Sequence, residues 1–140
     1  VYADVVGEVR CFLAERVERA RAAGVAQDRI IVDAGLDLGK TPAQSLQLLH
    51  SSAGLADLGP PLLLSASNKR FLGELLGLGI DERRLASHAA HALGISRGCR
   101  LVRVHDVRGA RRVAAVLEAL LTARRAQLAQ ASRRTESADA

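Results

Sequence analysis

The chain has 140 residues, 49% hydrophobic and 25% charged, so it has the size of about one globular domain and is too apolar for a disordered protein. No apolar run approaches the ~20 residues of a membrane-spanning helix, which argues against a membrane protein. Most of the net charge of +5 lies in residues 107–140, which contain seven Arg and three acidic residues. No Phe, Tyr or Trp follows Phe71. A solvated basic helix, not a nucleic-acid surface, is therefore expected.

Apolar spacing predicts eight elements in the order α-β-α-β-α-α-β-α. Helices are predicted over 4–23, 42–58, 69–78, 82–96 and 108–128, and short strands over 29–33, 62–64 and 101–107. Short buried strands that alternate with helices indicate βαβ units and a parallel α/β sheet. The segment 131–140 has nothing to bury and is predicted to be a disordered tail. Because the chain begins Val1-Tyr2 and contains no Met, we expect it to be a piece of a longer protein.

Polar residues follow each predicted strand at its C-terminal end. They are Asp33 at the end of the first strand, Ser65, Ser67 and Lys69 after the second, and Arg103, His105 and Asp106 on the third. Ligands of parallel α/β folds bind at the carboxyl ends of strands. Arg103 and His105 share one face of the third strand, and burying them without an anion is costly. With Lys69 they predict a buried phosphate or pyrophosphate site, the alternative being an ion pair of Arg103 with Asp33 or Asp106.

Two further patterns point to other classes of function. Residues 34–41 nearly match the phosphate-binding loop G-x-x-x-x-G-K-[ST], but Ala34 replaces the first glycine and Pro42 removes a backbone donor. A nucleotide-binding protein is therefore the alternative from a different class. His88 and His91 could offer two metal ligands from one helix, but no neighbouring carboxylate or cysteine supplies a third. Packing or surface positions are the favoured interpretation for both.

Three segments together resemble the motifs of dihydropteroate synthase. They are D-A-G-L-D-L-G-K-T at 33–41, S-N-K-R-F-L-G at 67–73 and R-V-H-D-V at 103–107, against D-P-G-F-G-F-G-K, S-R-K-S-F-I-G and R-V-H-D-V in the family. The resemblance implies an α/β (β/α)8 TIM barrel, of which residues 1–130 supply the C-terminal half with strands six to eight. It also implies a transferase of folate biosynthesis that joins p-aminobenzoate to 6-hydroxymethyl-7,8-dihydropterin pyrophosphate.

The same resemblance assigns roles by position. Asp33, Lys69 and Arg103 would bind the pterin, Lys69 and Arg103 would be catalytic, and Arg103 and His105 would hold the pyrophosphate. Mg2+ is expected as the cofactor, with its ligand outside this chain. A cytoplasmic homodimer formed through the last helices is expected, with no nucleic-acid or membrane partner.

The departures from the family pattern cluster on the ligand face. Ala34 replaces a proline, Asp37 and Ser65 replace glycines, and the arginine and serine that flank the family's lysine become Asn68 and Arg70. The side chain of Ser65 thus stands where the pterin slot of the family usually has none. The resemblance therefore implies a synthase whose activity these departures weaken. It leaves three alternatives open: an altered ligand preference, a pterin-binding barrel serving methyl transfer, and a non-catalytic pterin-binding or dimerisation paralogue.

Overall fold

The computed structural model describes residues 2–138, with side chains described over residues 2–130. Its helices and strands in chain order are α1 Val5–Ala22, β1 Val32–Asp33, α2 Pro42–His50, α3 Ser52–Ala56, β2 Leu62–Leu64, α4 Arg70–Leu76, α5 Arg84–Ser96, β3 Leu101–Val102 and α6 Val107–Ala138. Single 3-10 turns, Gln27–Arg29 and Ile80–Glu82, precede β1 and α5. The predicted alternation of helices and strands is confirmed.

The three strands form one parallel sheet in the order β1-β2-β3. Val32 pairs with Leu62, and Leu64 pairs with Val102. Each strand is joined to the next by helices, as parallel pairing requires. The parallel sheet predicted from the sequence is therefore confirmed, and its carboxyl ends lie along one edge.

The two faces of the sheet differ in burial. Val32, Leu62 and Leu64 are buried on the face that packs on the helices. On the opposite face Ile31 is 53% exposed and Leu101 is 36% exposed. Because side chains alternate between faces along a strand, the polar residues that end each strand continue the open face.

The predicted helix over 42–58 is interrupted at Ser51. Its start is as expected, because Thr41 and Gln44 form a capping box and Pro42 occupies the first helical turn. At its end, the Ser52 hydroxyl donates to the carbonyl of Leu49 at 2.8 Å. Such side-chain hydrogen bonds compete with the helical ladder. The chain therefore continues as a separate short helix, α3.

The third strand is shorter, and the last helix longer, than predicted. β3 ends at Val102 because β2 offers no partner beyond Leu64, whose carbonyl accepts the last ladder bond from Arg103 N–H at 2.9 Å. The backbone of α6 continues to Ala138, past the predicted end near Leu128. The side chains of 131–138 and all of 139–140 lie outside the described residues, and the disordered tail stays a prediction. Within residues 2–138, no helix combines the length and apolarity needed to cross a membrane.

Candidate functional site

The sheet places the four predicted site residues along one edge. Asp33 is the last residue of β1, Lys69 follows β2 as the N-cap of α4, and Arg103 and His105 follow β3. Asp33, Arg103 and His105 are exposed and Lys69 is half-buried. The expectation that Arg103 and His105 are buried in a strand is therefore wrong, because β3 stops before them and they lie on the open face.

Lys69 is tied to the loop that follows β1. Its Nζ donates to the carbonyl oxygen of Leu36 at 2.9 Å. In the same loop Asp33 Oδ1 accepts from the N–H of Gly35 at 2.7 Å, which leaves Oδ2 available. The structure thus brings the ends of β1 and β2 together, although no described hydrogen bond or ion pair joins either residue to Arg103.

Asp37 fastens this loop to two helices. It adopts a positive φ of 62°, a conformation that glycine, asparagine and aspartate tolerate better than other residues. Its carboxylate accepts from the N–H of Phe71 at 3.2 Å and from the hydroxyl of Ser45 at 3.3 Å. Its own N–H donates to Ser45 Oγ at 3.0 Å. The acid that replaces the family's glycine therefore has structural partners.

Lys40 has a different role from the lysine of a phosphate-binding loop. Its Nζ donates to the carbonyls of Gly35 at 3.0 Å and Leu38 at 3.1 Å, and the side chain is buried. The ammonium also lies 5.5 Å from the centre of the Tyr2 ring. A phosphate-binding lysine must instead direct its charge at the nucleotide. The structure thus opposes the nucleotide-binding alternative.

Arg103 contacts a hydroxyl and not a carboxylate. Its Nε and Nη2 donate to Ser65 Oγ at 3.0 Å and 2.6 Å. Among residues 2–130, no carboxylate oxygen lies within 4.0 Å of its guanidinium. The alternative ion pairs with Asp33 and Asp106 are therefore not formed, and the positive charge is uncompensated.

Ser67 holds His105 in the same way that Ser65 holds Arg103. The Ser67 hydroxyl lies 2.9 Å from His105 Nδ1, and the backbone N–H of His105 donates to the same oxygen at 3.2 Å. When Ser67 donates to Nδ1, the ring keeps its proton on Nε2. That tautomer offers a hydrogen-bond donor to a ligand oxygen.

A cavity of about 360 Å³ lies behind His105, between α5 and the loop that opens α6. His88 Nε2 lies 3.1 Å from the Asp106 carboxylate, and the Gly109 N–H donates to the same carboxylate at 2.8 Å. The Gly109 N–H first, and then His88, hold the pKa of Asp106 below its usual range. No local sequence pattern predicts this contact, since Asp106 is 18 residues from His88.

His91 is buried beside this cavity. It is 1% exposed, and both its ring nitrogens have no hydrogen-bond partner. Burial first, and then the charge of His88, lower the pKa of His91 to about 4. His91 is therefore a neutral packing residue at pH 7, as the sequence favoured.

The described residues do not offer a magnesium site. Mg2+ prefers carboxylate and other oxygen ligands, whereas the strand ends carry Lys69, Arg103 and His105 beside Asp33, and the Asp106 carboxylate is occupied by His88 and the Gly109 N–H. No group of three His, Cys, Asp or Glu side chains within residues 2–130 could hold a metal ion. We therefore assign no step to Mg2+.

The family of the chain follows from its match to known proteins. Residues 1–105 match the family model described as pterin binding enzyme. The chain belongs to this family. Its curated relatives include dihydropteroate synthase of Bacillus subtilis, 38% identical over 120 residues, and inactive dihydropteroate synthase 2 of Mycobacterium leprae, 44% identical over 109 residues. The alignments cover 86% and 78% of this chain but only 42% and 38% of these relatives, so the chain spans less than half their length.

Solved structures of the same family share the fold. A dihydropteroate synthase of Xanthomonas albilineans with 4-aminobenzoic acid aligns with a TM-score of 0.84 at 41% identity, over 86% of this chain and 45% of that one. A Yersinia pestis dihydropteroate synthase with a pterine-sulfa conjugate aligns with a TM-score of 0.85 at 31% identity, over 88% and 49%. The resemblance to dihydropteroate synthase stated from the three motifs is confirmed.

Proposed function

We propose that residues 1–130 form the C-terminal half of a (β/α)8 barrel, with β1, β2 and β3 as strands six, seven and eight. The open face of the sheet supports this assignment. Ile31 and Leu101 expose apolar side chains there, on the face that a closed barrel fills with packed residues. Alignment over about half of each solved relative supports it as well.

On this fold, the carboxyl ends of the three strands bind a pterin pyrophosphate, and p-aminobenzoate is the second substrate. The protein acts in folate biosynthesis in the cytoplasm. The observation that carries the proposal is the placement of Asp33, Lys69 and Arg103 at the carboxyl ends of three adjacent parallel strands. Asp33 Oδ2 is free to accept from the amino-pyrimidine edge of a pterin, which presents N–H donors. Lys69, held at Leu36 O, lies beside the same loop.

The pyrophosphate is held at the end of β3. Arg103 brings a positive charge that no described carboxylate compensates. His105, with Nδ1 at Ser67, presents Nε2 as a donor. Charge-assisted hydrogen bonds from Arg103 stabilise the pyrophosphate as negative charge develops on it. Lys69, whose ammonium lies at the same edge of the sheet beside the loop after β1, is the second proposed catalytic residue.

Titration with 6-hydroxymethyl-7,8-dihydropterin pyrophosphate tests the proposal. We expect micromolar binding by calorimetry, weakened by Lys69→Ala at least ten-fold because a charged hydrogen-bond donor is lost. Arg70→Ala is the matched control, since it removes a neighbouring exposed charge that pairs with Glu74. Absence of binding, or equal affinities of the two variants, would contradict the pterin role.

The second candidate is a pterin-binding paralogue without synthase activity. The relative at 44% identity, which is named inactive, favours it, as does the replacement of a family glycine by Asp37. Adding p-aminobenzoate to the same titration separates the candidates. Release of pyrophosphate indicates a synthase, and binding without release indicates the paralogue.

We also propose a homodimer formed through α6. Val116 and Leu120, one turn apart on this helix, are each 61% exposed, and side chains four residues apart share a helix face. Leu120→Glu should place a charge in the contact and shift the chain to monomer in sedimentation experiments. Leu85→Glu, at an 81% exposed position of α5, is the control. A monomeric parent chain would contradict the dimer.

A further inference from the structure

We propose that Ser65 is a positioning residue that holds the Arg103 guanidinium ready for a phosphoryl group. The inference rests on the proposed function, since it concerns the same pyrophosphate site. It adds a residue from the neighbouring strand whose hydroxyl orients the arginine without neutralising it.

The geometry leaves part of the guanidinium open. Arg103 donates to Ser65 Oγ through Nε at 3.0 Å and through Nη2 at 2.6 Å. A guanidinium has five N–H donors, so three remain, two on Nη1 and one on Nη2. This remaining pair of nitrogens is a fork that can bind two oxygens of one phosphoryl group.

Because the Ser65 hydroxyl is neutral, it can orient the Arg103 guanidinium without competing with an anionic ligand. A carboxylate at this place would neutralise Arg103 and compete with an anionic ligand. Ser65 is neutral, and the described part of the chain puts no carboxylate within 4.0 Å of the guanidinium. The ligand therefore meets a full positive charge that is already oriented.

Ser65 is itself well fixed. It is 6% exposed, and it follows β2 directly, beside Arg103 in the parallel register. Arg103 is exposed, and an exposed arginine that binds a ligand loses side-chain entropy. The bond to Ser65 orders the guanidinium before the ligand arrives. Ser67 holds His105 in the same way two residues further on, so the segment that follows β2 orients both proposed pyrophosphate donors.

Calorimetric titration of the 140-residue chain with inorganic pyrophosphate tests the inference. We expect Ser65→Ala to weaken binding about five-fold, the usual effect of one hydrogen bond. Ser65→Thr keeps the hydroxyl and should stay within about two-fold of the parent. Ser96→Ala is the control, since its hydroxyl bonds only to the Leu93 carbonyl on α5.

A double-mutant cycle separates positioning from a structural role. In an Arg103→Lys background, Ser65→Ala should cause no further loss, because the fork it orients is gone; an equal loss in both backgrounds overturns the inference. Slow water exchange of the Arg103 Nε–H in NMR spectra of the ligand-free chain should become fast in Ser65→Ala. If Ser65→Ala binds pyrophosphate as tightly as the parent or more tightly, while Arg103→Ala weakens binding, the positioning role of Ser65 is overturned and the pyrophosphate site is not. Unchanged binding by Arg103→Ala overturns the proposed pyrophosphate site.

Discussion

Acidification from pH 7 to pH 4 should lower the free energy of unfolding by about 3 kcal/mol through His91 alone. The unfolded chain protonates this histidine near 6.5, whereas the folded chain does so only near its pKa of about 4. Between these values the unfolded state binds more protons, so stability falls as the pH falls, at about 1.4 kcal/mol per pH unit. The cause is burial of a ring whose nitrogens have no partner to share a proton.

Urea unfolding at pH 7, 5.5 and 4 measures this effect. His91→Leu replaces the ring with an apolar side chain and should remove most of the loss between pH 6.5 and pH 4. His50→Leu is the matched control, because His50 is an exposed histidine on α2. It should leave the pH dependence of the parent unchanged. Parallel pH profiles of the parent and His91→Leu would contradict the account.

Asp37→Ala should reduce the free energy of unfolding by about 3 kcal/mol. The carboxylate accepts from Phe71 N–H and from the Ser45 hydroxyl, and hydrogen bonds to charged groups contribute about 1.5–3 kcal/mol. Alanine also tolerates the positive φ of 62° poorly, at a cost of roughly 1 kcal/mol. Because Phe71 lies at the start of α4, the loss should also loosen Lys69 and weaken pterin binding.

Asp37→Asn is the control for this prediction. Asparagine keeps one of the two oxygen acceptors and tolerates positive φ, so it should lose roughly half as much as alanine. Thermal unfolding of the two variants measures the difference. Equal stabilities of Asp37→Ala and Asp37→Asn would contradict the assignment of the loss to the missing acceptor and the strained backbone conformation.

The edge of the sheet could be predicted because its signals are local. Each apolar run ends in polar residues, and parallel strands end at one edge, so Asp33, Lys69 and Arg103 were assigned to that edge from the sequence. The break at Ser51 was missed because the apolar spacing continues through it. Ser52 interrupts the helix through its own hydroxyl, which the spacing does not report.

The contacts that orient the site could not be predicted because they depend on register. Ser65 and Arg103 are 38 residues apart, as are Ser67 and His105. The two serines are two residues apart, and so are Arg103 and His105. This equal spacing predicts the two contacts only when the register that pairs Leu64 with Val102 is known. The predicted strand 101–107 is too long for the same reason, since the length of β3 depends on its partner strand β2.

Amide NMR of the 15N-labelled chain during titration with 6-hydroxymethyl-7,8-dihydropterin pyrophosphate tests the central claim most directly. One ligand spanning the three strand ends should shift the amide signals of Asp33, Lys69 and Arg103 with one common saturation curve. Signals on the far side of the helices, such as that of Gly54, should stay in place. Shifts confined to the cavity beside His91, or separate saturation at the three strand ends, would contradict a shared pterin and pyrophosphate site.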